Sequence, residues 1–140
     1  MCLDELADFR ISKNYGWQVF RMRRERLVQL YYGGRPLEIV PEGVWQSDPN
    51  DYTLETNDRG DPYQTGFHVF RRQADANLYR DWLVAGRVGV IRKVFFKNVV
   101  AIGRIAIPTN FRYIRADVIV ARKRLVESKL SKRRNENEPT

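Results

Sequence analysis

Residues 66–107 constrain the fold of this chain more than any other stretch. Gly66-Phe67-His68-Val69-Phe70 alternates as a strand does, with Phe67 and Val69 on one face and His68 and Phe70 on the other. Ala74, Leu78 and Trp82 then recur every fourth residue, with Tyr79 and Leu83 beside them. That spacing predicts a helix over 73–85, stopped by Gly86, with Asp75, Arg80 and Asp81 facing away from the core. Val88, Val90, Val94 and Phe96 form one face of a following strand, and Ile91, Lys93, Phe95 and Lys97 the other. A reversal is expected at Asn98, and the apolar run 99–107 returns to end at Pro108. A strand, a helix and a strand pair in this order call for a sheet with a helix packed on it.

The flanking segments extend the sheet. Period-two alternation over 17–22 and 26–32, with Arg23, Arg24 and Glu25 between, reads as a hairpin closed off by Gly33-Gly34-Arg35-Pro36. Residues 37–40 suggest a short strand and 112–121 a last one. Leu3, Leu6, Ala7 and Ile11 have the spacing of a short docking helix. Residues 37–65 are the least regular, with Asp48, Asp51, Glu55, Asp58 and Asp61 in a long polar excursion. A loop of that length serves as a lid or a partner-binding element, or is plain surface. The expected architecture is α+β: a mainly antiparallel twisted sheet from 17–32, 66–70, 88–107 and 112–121, with one principal helix on one face. We expect a single domain over 1–125 and a basic C-terminal tail over 126–140.

Composition excludes several classes. At 140 residues with 43% hydrophobic content, the chain can bury a real core and is not a disordered polyampholyte. No apolar run approaches the roughly 20 residues needed to span a bilayer, so no membrane partner is expected. Met1-Cys2-Leu3-Asp4-Glu5 does not read as a secretory leader. One cysteine cannot form an internal disulfide, so a cytoplasmic or virion-resident protein folded under reducing conditions is expected.

The net charge of +8 points to acidic partners, nucleic acid or an acidic protein surface. About half of it lies between Arg122 and Glu138, where seven Lys/Arg oppose three Glu. Arg21, Arg23, Arg24, Arg71, Arg72, Lys132, Arg133 and Arg134 are therefore the candidate partner-binding residues. Trp17, Tyr31, Tyr32, Trp45, Tyr52 and Tyr63 lie among basic residues, an arrangement that suits stacked bases and neutralised phosphates as well as ordinary packing. His68, the only imidazole, and Cys2, the only thiol, are the candidate catalytic residues. Cys2 becomes an amino-terminal nucleophile if Met1 is removed, with His68 as its base. A hydrogen-bonded structural histidine is the commoner outcome for such a strand position. One histidine and one cysteine do not make a zinc site, and no metal or cofactor is implied. The leading expectation is a non-enzymatic binder of an acidic partner. The alternatives are a homo-oligomeric or virion-assembled structural component, and a nucleotide-handling or thiol enzyme centred on His68.

Met1-Cys2-Leu3, Gly66-Phe67-His68-Val69-Phe70, the helix from Ala74 to Trp82 and the strand closing on Ala101-Ile102-Gly103 together resemble a group of small bacteriophage and prophage proteins. That resemblance implies a phage accessory or structural protein and implies no reaction. Residues 66–103 also resemble the central segment of ADP-ribosyltransferase folds. That family usually has a tyrosine of the nicotinamide pocket where this chain has His68, and a catalytic glutamate late in the fold. Here the first glutamate after Gly103 is Glu127, outside any matching motif, so this second resemblance implies a fold and not the transfer reaction.

Overall fold

A computed structural model describes residues 3–29, 39–48, 54–83 and 89–128, with the side chains of Leu54 and Glu55 excepted. The described residues form β1 (Glu5–Leu6), β2 (Tyr15–Arg23), β3 (Arg26–Gln29), β4 (Trp45–Ser47), β5 (Leu54–Thr56), β6 (Pro62–Gln64), β7 (Phe67–Phe70), α1 (Gln73–Leu83), β8 (Gly89–Pro108) and β9 (Tyr113–Val126). All the strand pairings are antiparallel, and one helix accompanies them: an α+β arrangement dominated by its sheet. No described helix is long and apolar enough to cross a membrane.

The hairpin of β2 and β3 turns on Arg24 and Glu25, both at positive φ (51° and 64°), the backbone that a two-residue hairpin loop demands. Asn98, where a second reversal was expected, has φ 57° but no positive-φ neighbour. The chain therefore does not turn there. β8 continues through Asn98 as one 20-residue strand, and its register against β9 slips by one residue between Val99 and Ala101. That slip is a bulge, which bends the strand and strengthens its twist. The amino-terminal docking helix is also absent. Glu5 and Leu6 instead pair with Arg104 and Gly103 of β8, and buried Leu3 leads into them. An open stretch of β8 edge offers ladder hydrogen bonds, and glycine at 103 leaves room for the Glu5 carbonyl to approach. The irregular 37–65 region supplies β4, which pairs with β9, and the small β5–β6 hairpin.

The pairings close on themselves: β8 pairs with β9, β9 with β7, β7 with β2, and β2 with β8. Phe20, Leu27, Val69, Val94, Phe96, Ile119 and Val126 share one buried cluster on the inner face of this circuit. Val19, Phe70, Ile105, Ile107, Val118 and Val120 form a second cluster on the outer face, and α1 packs over part of it. Tyr79 is the helix anchor, its ring 5.2 Å from that of Phe70. The buried stripe of α1 is Asp75, Ala76 and Tyr79, while Ala74 is exposed and Trp82 is half exposed. The stripe expected through Ala74, Leu78 and Trp82 is thus rotated, because packing against Phe70 selects Tyr79 over the larger Trp82.

This rotation puts a carboxylate at the packed face, and Asp75 is only 9% exposed. Burial, its largest influence, raises its pKa above the ordinary 3.8; Arg72 pulls it down and Asp117 pushes it up. Between the unfolded value and the raised folded value the native chain holds more protons, so stability falls as pH rises through that window. Asp75→Asn is expected to melt above the wild type at pH 7, with the gain vanishing once both forms are neutral, below pH 3.8. Melting curves across pH check this, and a gain that persists unchanged in acid contradicts it.

Candidate nucleic-acid interface

Alternation decides which side chains reach the outside of the circuit. Gln18, Phe20, Gln46, Phe96 and Arg124 point inward, so their chain neighbours Trp17, Trp45, Phe95 and Leu125 point outward. Strand register then lines four outward residues up. Trp45 pairs with Leu125, Leu125 with Phe95, and Phe95 with Tyr15, so one apolar row crosses β4, β9, β8 and β2. α1 packs over the part of the outer face that holds Trp17, Phe70 and Ile91, and no residue of the row belongs to that cluster. Trp45 is 42% exposed, and Tyr15, Phe95 and Leu125 are half-buried.

Lysines flank the row. One step along the strands, about 6.8 Å away, Ser47 pairs with Lys123 and Lys123 with Lys97. The Phe96 N–H donates to the Asn14 carbonyl, carrying the β2–β8 register one residue further, so that Lys13 continues the lysine row. On the other side Lys93 pairs with Trp17. The ammonium groups lie over the rings. Lys97 Nζ is 3.9 Å from the Trp45 ring centre, and Lys93 Nζ is 4.2 Å from that of Tyr15 and 5.2 Å from that of Phe95. Lys13 Nζ approaches Tyr15 at 5.4 Å. Tyr15 and Phe95 themselves meet edge to face, 6.1 Å apart. Lys97 directly opposite Lys123 breaks a rule of sheet pairing, since like charges in that position repel. Such a local violation on an exposed face is what a binding site for anions tolerates.

Beneath the row lies its support. Arg124 is 2% exposed, yet its guanidinium donates to three glutamine oxygens: Nε to Gln46 (3.1 Å), Nη1 to Gln18 (2.9 Å) and Nη2 to Gln29 (2.8 Å). Its Cζ also lies 4.0 Å from the Phe67 ring centre. One side chain on β9 therefore ties together β2, β3, β4 and β7, and holds Trp45 and Leu125 in register.

The described arginines picked out by charge fall elsewhere. Arg23, Arg24 and Arg26 are exposed at the β2–β3 turn, with Arg21 half-buried beside them. Arg71 and Arg72 follow Phe70, whose partner Trp17 is six residues from Arg23, roughly 20 Å along β2. Arg71 is engaged, sharing Asp117 with Arg104 at 2.9 and 3.0 Å, while Arg72 is exposed. Lys132, Arg133, Arg134, Cys2, Tyr31, Tyr32 and Tyr52 lie outside the described residues.

His68 is 7% exposed and sits in a hydrogen-bonded chain. The Leu3 N–H donates to the Tyr63 hydroxyl (2.9 Å), which is hydrogen-bonded to His68 Nε2 (3.2 Å). Its other nitrogen, Nδ1, donates to the Gly66 carbonyl (3.1 Å). The carbonyl partner places a proton on Nδ1, and both ring nitrogens are occupied by the fold. Tyr63 and His68 thereby anchor the amino-terminal segment to the sheet.

A cleft of about 230 Å³ opens beside β1, lined in part by Asp4, Glu5, Asp58, Arg59, Arg104 and Arg115. Glu5 is bound by Arg59 (3.3 Å) and Arg115 (3.1 Å), and Asp4 accepts from the Ala106 N–H. Burial first, then hydrogen bonding to Asp58, raises the pKa of Asp4 against the pull of that N–H. These contacts fasten β1 and the β5–β6 turn to β8. Among the described residues, no group of three or more His, Cys, Asp or Glu is placed to hold a metal ion.

Sequence reasoning placed Trp17 and Trp45 among candidate stacking residues and left out Tyr15, Phe95, Lys13, Lys93, Lys97 and Lys123. The signal present was the alternation of Lys93, Phe95 and Lys97; its link to Tyr15, Trp45 and Lys123 exists only in the pairing. No protein-family model matches the chain, no curated protein is significantly similar to it, and no solved structure is significantly similar either.

Proposed function

We propose that this protein acts by binding nucleic acid, without catalysing a reaction, through the lysine-flanked apolar row on the outer face of β4, β9, β8 and β2. The observation that carries the reading is the juxtaposition of the exposed Trp45 ring and the half-buried Tyr15–Phe95 pair with a lysine row in which Lys97 and Lys123 directly oppose each other. Unbound, that pair repels; a bound phosphate between them turns the repulsion into attraction. Arg23, Arg24 and Arg26 add to the long-range field that draws a polyanion to the molecule. The resemblance to phage proteins supports a role as an accessory protein in the host cell or the virion.

Phosphate contacts release counterions, so affinity should fall steeply with salt. Lys97→Glu combined with Lys123→Glu is expected to weaken binding about tenfold or more at low salt, and to flatten the dependence of log affinity on log salt by about one unit per lost contact. Fluorescence anisotropy between 50 and 200 mM salt, about the range over which such contacts are screened, measures both. Affinity that is insensitive to salt and to these substitutions overturns the proposal.

A further inference from the structure

Resting on that reading, we infer that the ligand is a single strand, held by bases stacked on Trp45 and on the Tyr15–Phe95 pair with its phosphates on Lys97, Lys123 and Lys13. The shape of the site excludes the grooves of a duplex. Four adjacent strands set the outer backbones of the platform about 14 Å apart, whereas a major groove about 12 Å wide admits a helix or a two-stranded ribbon. The row itself is built from sheet strands alone, with no residue of α1 in it. A duplex laid on it presents phosphates alone, with its base faces hidden, and the rings would have no partner. A single strand presents both phosphates and unstacked bases, which is what a ring row beside a lysine row can use.

The occupancy of the rings in the free protein agrees with this. Lys97 and Lys93 cover Trp45 and Tyr15 at 3.9 and 4.2 Å. An exposed contact of this kind is worth less than stacking a base on the same ring. An arriving base therefore displaces the ammonium, which is left on a flexible stem within reach of the neighbouring phosphate. Two stacking stations result: Trp45, and the edge-to-face pair of Tyr15 and Phe95, with Leu125 between them. The row offers few groups that read base edges, so the preference among sequences is slight.

Full-length protein titrated with a dye-labelled twelve-nucleotide oligo-dT, and separately with the same strand annealed to oligo-dA, tests this at about 50 mM salt, where phosphate contacts are strong. The expected result is single-strand binding about tenfold or more tighter than duplex binding, about what one stacked base supplies. Trp45→Ala should weaken the single strand about tenfold and leave the duplex unchanged. Phe95→Leu, which keeps apolar bulk and the fold, should act in the same direction. Equal affinity for both forms, still dependent on Lys97 and Lys123, overturns the single-strand inference and leaves nucleic-acid binding standing. Single-strand preference that survives both ring substitutions overturns the stacking assignment. Binding to neither form overturns the inference and the underlying reading together.

Discussion

Arg124→Ala is expected to lose about 3–5 kcal/mol of stability, the range for removing one member of a buried charged network. The residue is 2% exposed, and its three donors reach glutamines on three different strands. Truncation strips the described guanidinium bonds from Gln18, Gln29 and Gln46, and it leaves a void beside Phe20 and Phe67. Arg124→Lys should fare nearly as badly, because a single ammonium lacks the planar fork that addresses three acceptors at once. Arg124→Met, which fills the space without a buried charge, should lose least of the three. For a chain of this size the alanine variant should melt on the order of 10 °C lower. Urea unfolding measures the difference directly, and an alanine variant within about 1 kcal/mol of the wild type, the level of an average substitution, would sink this account of the interior. Because Arg124 lies between Lys123 and Leu125, the same variant should also blur the platform above it.

Gly16→Ala is the second large effect. β7 and β2 meet at the single register pair of Trp17 and Phe70, and this contact closes the circuit of strands. A Cβ at position 16 would lie 2.5 Å from Val69 Cγ1 and nearer still to the Phe70 carbonyl oxygen. Backbone cannot yield as a flexible side-chain tip does, so β2 and β7 must separate. Overpacking of this kind costs about 1–3 kcal/mol and sometimes more. The closure also positions Phe70 under Tyr79, so loosening should reach the helix. Hydrogen exchange is expected to show faster opening of β7 and α1 while the paired stretch of β8 and β9 stays protected. Uniform loss of protection, or none, would show that the circuit does not depend on this junction.

Several elements were legible because their signals are local. Arg24 and Glu25 lie between two alternating runs, and the turn is where it was expected. α1 was visible from its spacing, but not the rotation of its buried stripe, since Tyr79 and Trp82 are equally good anchors until Phe70 is placed beneath one of them. Asn98 and the amino-terminal segment were misread for a related reason. A positive-φ asparagine serves a turn or a bulge alike, and four apolar residues near a terminus fit a helix as well as a strand until an open β8 edge is present to pair with.

Alternation of side chains by itself determined the sheet, its mainly antiparallel character and which residues of each strand share a face, because a period of two is a property of the local backbone. It could not say which strand lies beside which, and it could not say where α1 ends its cover. Tertiary pairing decided both. It brought Tyr15, Trp45, Phe95 and Leu125, spread over 111 positions of the chain, into one row with Lys97 opposite Lys123. Register is a non-local quantity set by the fit of two distant segments, and it is register, more than any motif, that makes this face a site.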